Sequence, residues 1–119
     1  LVDICMAVAE HRLEREEVRW SEKAHTFVVA VSDGYPGSYD TGVEISGVDA
    51  ATEHGIVFHA GTAKDDDGAL LTSGGRVLGV TGSGDSIKEA RNAAYAGIAE
   101  ISFEGLTFRR DIAERAIKG

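Results

Sequence analysis

Cysteine, proline, methionine and tryptophan each occur once in 119 residues, and aromatic residues make up 7%. The single cysteine, Cys5, excludes an intrachain disulfide and a cysteine-built zinc centre. It fits a reducing, cytoplasmic setting. Positive charge is also scarce: 12 Lys and Arg stand against 20 Asp and Glu, a net charge of −8. A non-specific nucleic-acid binder works by neutralising phosphates, so this balance excludes nucleic acid as an expected partner. It still permits a small anion held by a few local arginines. No run approaches the ~18 consecutive apolar residues that span a bilayer. Leu1-Val2-Asp3 lacks the basic start of a signal peptide, so no membrane association is expected.

What remains is ordinary for a globular protein: 43% hydrophobic and 27% charged residues, in a chain long enough for one core. Leu1, Ile4, Cys5, Val8 and Ala9 follow helical spacing, predicting a helix to about Leu13 with Cys5 as a small core residue. The chain starts at Leu1 inside that pattern, which reads as a piece excised from a longer polypeptide. Glu10 to Trp20 is charged and reads as a connector. Thr26 to Val31 is a continuous β-branched and aromatic run, predicting a strand buried on both faces. Ser32 to Gly42 is a loop, with Pro36-Gly37 suited to the centre of a type II turn.

Further on, Val43–Ser46 and Ile56–Ala60 read as strands. Val48–His54 reads as one or two helical turns closed by Gly55. Lys64 to Gly68 is an acidic turn. Ala69–Ser73 and Arg76–Thr81 read as a hairpin around the two-residue turn Gly74-Gly75. Gly82-Ser83-Gly84 then forms a flexible entry to a helix opened by a Ser86/Glu89 capping box. Its apolar stripe is Ile87, Ala90, Ala94, Ile98 and Ile101. Leu106–Phe108 reads as a short strand. Asp111 and Glu114 repeat the capping-box spacing before a last helix. Hairpin-joined strands with helices set apart predict an α+β fold with a mainly antiparallel sheet and flanking helices.

Most candidate chemistry has a plain structural reading. His11, His25, His54 and His59 lack metal-ligand spacing, and His59 reads as a hydrogen-bonded strand residue. Asp65-Asp66-Asp67 lacks the alternating oxygens and distant Glu of a calcium loop. Gly82-Ser83-Gly84 is not a phosphate-loop motif, and Asp85 would repel an anion. No nucleophile has a base at a telling spacing, so neither a catalytic residue nor a metal ligand is expected. The exception is Arg76, placed by two glycines at a strand start. There its guanidinium can grip a phosphate or carboxylate bidentately, or simply sit on a surface hairpin.

Five segments in order carry a resemblance. They are Ser32-Asp33-Gly34-Tyr35-Pro36-Gly37-Ser38-Tyr39, Gly42-Val43-Glu44-Ile45-Ser46-Gly47, Val57-Phe58-His59-Ala60-Gly61-Thr62, Gly74-Gly75-Arg76-Val77-Leu78 and Phe108-Arg109-Arg110-Asp111-Ile112. In this order and spacing they resemble the C-terminal domain of the phosphoribosylamine–glycine ligase (glycinamide ribonucleotide synthetase) family, over roughly Val28 to Ile117. Ala113 departs from the pattern, since the family usually has Gly after the Asp-Ile pair. The resemblance implies that residues 1–24 are the last helix and connector of a preceding ATP-grasp domain, and residues 25–119 the C-terminal domain.

It further implies a parent enzyme of purine synthesis whose partners are 5-phosphoribosylamine, glycine and ATP, with an N-terminal and an ATP-grasp domain ahead of this one. ATP and magnesium would be held in the parent outside this chain, by carboxylates and an Asn preceding Leu1. This chain alone would be inactive. By analogy with related purine enzymes, Arg76 would contact the substrate phosphate, and Gly74 and Gly75 would allow close backbone approach. Tyr35 would stand on a lid-like loop, with Arg109 a further source of charge. A biotin carboxylase-type C-terminal domain and a stand-alone ligand-binding or regulatory module are the alternatives.

Overall fold

The computed structural model describes residues 1–118. Helix α1 (Val2–Ala9) is followed by a short 3₁₀ turn at Leu13–Arg15 and an extended connector to strand β1 (Ala24–Ser32). Then come α2 (Val48–Thr52), β2 (Ile56–His59), β3 (Thr62–Lys64), β4 (Leu70–Thr72) and β5 (Arg76–Gly84). Helix α3 (Ile87–Glu100), β6 (Leu106–Thr107) and α4 (Glu114–Lys118) complete the order. The main sheet is antiparallel in the order β2-β5-β1-β6, and β3 and β4 form a separate antiparallel pair. The α+β class expected from the sequence is the class observed.

Alternation along β1 and β5 decides what each face of the sheet does. Val28, Ala30, Leu78 and Val80 point to one side and are buried. On that side α3 presents Ala90, Ala94, Gly97 and Ile98. Gly82 lies directly beneath α3, where a Cβ would run into the backbone of Ala90 and Ala94. Helix and strand can approach so closely only because that position carries no side chain. Ser86 caps α3 as expected, its Oγ accepting from the Glu89 N–H at 3.2 Å, and the Glu89 carboxylate accepts from the Asp85 N–H at 2.8 Å.

Several expectations are corrected. The first concerns Gly74-Gly75, which is not a hairpin turn. β4 pairs with β3 and β5 pairs with β1 and β2, so the two glycines carry the chain from the small sheet to the large one. Gly61 makes the junction. Its N–H donates to the Arg76 carbonyl at 2.8 Å, and its own carbonyl accepts from the Ser73 N–H at 2.8 Å. A Cβ on Gly61 would lie 2.7 Å from both the Arg76 carbonyl oxygen and the Gly74 Cα.

The second correction concerns β1, which is not buried on both faces. Phe27 is 48% exposed, because only the opposite side is covered by a helix. Gly82-Ser83-Gly84 is the end of β5 rather than a flexible entry. Ile87 stands off the buried stripe of α3. Helix α1 stops at Ala9, short of Leu13, and Cys5 is exposed rather than in the core.

In the first loop the positive φ belongs to Gly34 and not Gly37, so the type II turn at Pro36-Gly37 is absent. Gly55 does not take the left-handed conformation that closes a helix. Val43–Ser46 makes only single bridges, Glu44 to Leu71 and Ser46 to Ser102. The Asp111 side chain does not cap α4, because it is engaged by Arg109.

Candidate functional site

The face of the sheet opposite α3 carries the candidate site. Phe27, Val29 and Val31 from β1 share it with Gly79 and Thr81 from β5 and with Ile56 and Phe58 from β2. Phe27 and Phe58 meet edge to face with ring centroids 6.1 Å apart. The tip of the Phe27 ring reaches over Gly79, where any Cβ would collide with it. The result is an open apolar shelf in the middle of a sheet.

Arg76 reaches this shelf through an irregularity in pairing. Ala30 pairs with Leu78, yet Val31 pairs with Arg76, so Val77 is an extra residue in β5. A bulge of this kind re-aims the side chains on either side of it. Val77 turns into the core and is fully buried. Arg76 comes out on the open face. Strict alternation from Gly79 would have put Val77 there and Arg76 inside.

Tyr35 arrives from the loop after β1. The loop is tied down by the Tyr35 N–H donating to the Ser32 carbonyl at 3.2 Å and by the Gly37 N–H donating to the Gly34 carbonyl at 2.7 Å. The Ser32 N–H donates to the Gly75 carbonyl at 2.8 Å, which fixes the loop root against the Gly74-Gly75 crossing. The Tyr35 ring then covers Gly75, occupying the space a Cβ would take. Tyr39 stacks behind it at a tilt, centroids 6.0 Å apart.

Two adjoining cavities result, of about 560 and 420 Å³, and both are lined by Phe27, Val29, Tyr35 and Arg76. The first extends to Phe58, Gly61 and Gly75, and the second to Phe108, Arg109 and Ile112. Gly75, Arg76, Tyr35 and Arg109, expected from the sequence, are therefore brought around one apolar floor. Gly74 lies just outside it, with its backbone against Gly61. Phe27, Val29, Phe58 and Gly61 were not singled out as site residues. Gly61 could have been noticed as a glycine ending a strand, but the exposure of the two phenylalanines depends on which face α3 covers.

The two arginines differ. Among the described residues no carboxylate pairs with Arg76. Arg109 grips Asp111 with a two-pronged bond, Nε to Oδ1 at 2.9 Å and Nη2 to Oδ2 at 2.7 Å. That hydrogen bond to Arg109 holds the Asp111 carboxyl below its ordinary value and pushes the guanidinium up. Of the two, Arg76 is the one whose charge no carboxylate offsets among the described residues. A third concavity, beside Asp33, Asp40 and Glu104, is acidic and disfavours an anion. His59 does hydrogen-bond in its strand, Nδ1 lying 3.1 Å from Thr62 Oγ1.

The architecture is an α+β domain with an arginine presented on an open antiparallel sheet. Residues 25–115 match the family described as phosphoribosylglycinamide synthetase, C domain, and the chain belongs to that family. It is 46% identical over 112 residues to the phosphoribosylamine–glycine ligase of Caldanaerobacter subterraneus subsp. tengcongensis, covering 94% of this chain and 26% of that protein. With the ligase of Salmonella typhimurium it shares 45% identity over 119 residues, 99% of this chain and 28% of that one. The chain therefore spans about a quarter of the length of these relatives. The crystal structure of the ligase of Thermotoga maritima matches with a TM-score of 0.64 at 44% identity, covering 71% of this chain and 20% of the other. Membership of this family replaces the biotin carboxylase-type alternative.

Proposed function

We propose that this chain serves as the C-terminal domain of a phosphoribosylamine–glycine ligase and supplies the anchor for the substrate phosphate. In the whole enzyme, glycine would be activated by ATP as glycyl phosphate, releasing ADP. The amine of 5-phosphoribosylamine then attacks the glycyl carbonyl, phosphate leaves, and glycinamide ribonucleotide forms. Residues 1–24 would belong to the preceding ATP-grasp domain and its connector, and residues 25–119 to this domain. Among the described residues no three His, Cys, Asp or Glu side chains converge on a metal position. The reading assigns ATP and magnesium to the rest of the ligase, and binding and orienting of substrate to this chain. Among the described residues no helix is long and apolar enough to cross a membrane; the reading itself places the enzyme in the cytoplasm.

The observation that carries the proposal is Arg76, lifted by the bulge at Val77 onto an apolar floor beneath Tyr35. A guanidinium against apolar walls attracts an anion more strongly than one fully in water. A charge-assisted hydrogen bond of this kind is worth roughly 1.5–3 kcal/mol, or about tenfold to a hundredfold in binding. In the whole ligase, Arg76→Ala should raise the KM for phosphoribosylamine on that order and leave the KM for ATP unchanged. Arg76→Lys should recover only part, because the fork is lost. Normal phosphoribosylamine kinetics in the alanine variant would refute the site. Turnover of ATP, glycine and phosphoribosylamine by the 119-residue chain alone would refute its role as a part.

A further inference from the structure

Residues 108–112 have no regular secondary structure, yet two side chains of α3 hold their backbone at four points. The Tyr95 hydroxyl donates to the Arg109 carbonyl at 2.6 Å and accepts from the Ile112 N–H at 3.2 Å. Arg91 donates from Nε to the Ile112 carbonyl at 2.9 Å and from Nη2 to the Arg110 carbonyl at 2.7 Å. The Arg91 guanidinium lies 4.5 Å from the centre of the Tyr95 ring, which tilts against Phe108 with centroids 6.1 Å apart.

We propose that Arg91 and Tyr95 are positioning residues that set where Arg109 stands on the rim of the cavity it shares with Tyr35 and Arg76. The inference rests on reading that cavity as the phosphoribosylamine site. Arg91 and Tyr95 are four residues apart, so they stack on one edge of α3. That helix is anchored in the core through Ala90, Ala94 and Ile98. Its position is passed to the loop through the Arg109 carbonyl and the backbone that follows it to Ile112, and these bonds do not depend on the loop's side chains. A phenylalanine at 95 would keep the ring and lose both bonds. A lysine at 91 would keep the charge and lose the fork that spans two carbonyls.

The same bonds also lie near α4, since Arg91 Nη2 is 3.7 Å from Glu114 Oε1, so the test must separate positioning from simple anchoring. In the whole ligase, Tyr95→Phe and Arg91→Lys should each raise the KM for phosphoribosylamine about fivefold, the equivalent of one weakened charge-assisted bond. The KM for ATP and kcat should stay unchanged. In an Arg109→Ala background neither variant should raise the KM further, since the residue they place is gone. Hydrogen exchange at the Ile112 amide should quicken in Tyr95→Phe while the amides of α3 keep their protection. Effects that multiply with Arg109→Ala would overturn the inference, as would a normal KM in Tyr95→Phe when Arg109→Ala raises it. A normal KM in Arg109→Ala would overturn both the inference and the placement of Arg109 in the site, leaving Arg76 to be judged by its own variant.

Discussion

Val31 on β1 faces Arg76 on β5, although its neighbour Ala30 faces Leu78. One surplus residue separates these pairings, and it reverses which of Val77 and Arg76 is buried. The apolar side chain enters the core and the charged one joins Phe27, Val29 and Phe58 outside. A single local irregularity thus serves both stability and the candidate site.

Three glycines near this pairing should respond differently to alanine. At Gly75 the atoms nearest the new methyl belong to the Tyr35 ring, a partly exposed side chain that can swing aside. Gly75→Ala should cost little stability, within about 1 kcal/mol, while raising the KM for phosphoribosylamine by displacing Tyr35. At Gly61 and Gly82 the methyl meets backbone. Gly82→Ala should cost about 3 kcal/mol, because α3 must lift off the sheet, and Gly61→Ala should also cost more than Gly75→Ala. Denaturant melts of the three variants would check the order, and equal losses would contradict it.

Asp111 should titrate below its ordinary value of 3.8, because the Arg109 fork hydrogen-bonds the charged carboxylate. A depressed carboxyl contributes stability that is present above the unfolded value and is lost as pH falls through the lower folded one. The pair should therefore lose its contribution as pH falls below the ordinary carboxylate value. Following the Asp111 side chain by NMR should show its midpoint rise in Arg109→Ala. An unmoved midpoint would place the cause elsewhere.

Ala113 sits at φ +64°, where an L side chain is disfavoured. Gly, which the resemblance leads one to expect at this point, takes that conformation without penalty. Ala113→Gly should relieve the left-handed strain, offset in part by the greater freedom of glycine in the unfolded chain. The net gain should be about 0.5–1 kcal/mol. A drop in Tm would contradict this.

Helix α1 leaves Leu1, Val2, Met6 and Val8 exposed, and its buried residue, Ala7, is not part of the core cluster. Removing residues 1–13 should therefore shift Tm by no more than about 3 °C. A large fall would show that α1 supports the sheet.

How much could be read beforehand varied with how local each signal was. Helix α3 was legible because Ser86, Glu89 and the Ala90–Ala94–Ile98–Ile101 stripe lie within a few turns of one another. Gly82-Ser83-Gly84 was misread because a glycine needed for close packing carries the same local signal as one needed for flexibility. Gly74-Gly75 looked like a hairpin because nothing local shows that β4 is already paired with β3 and that β5 takes its partners from β1 and β2. Arg76 and Tyr35 were noticed as residues. Their meeting was not visible, since it depends on a bulge with no local signature and on a contact across the Gly75 crossing. Asp111 had the spacing of a cap but is taken by Arg109, two residues away. In that contest a charged partner at hand prevails over a backbone amide.

The β3–β4 ribbon enters and leaves the main sheet at one spot, where the Gly61 backbone bonds to Arg76 on one side and Ser73 on the other. Its far end is a self-contained turn, in which the Asp65 carboxylate accepts from the Asp67 and Ala69 N–H groups. Tip and root share no hydrogen bond. The residues of the tip can therefore change without removing any hydrogen bond that fixes the root beside Arg76.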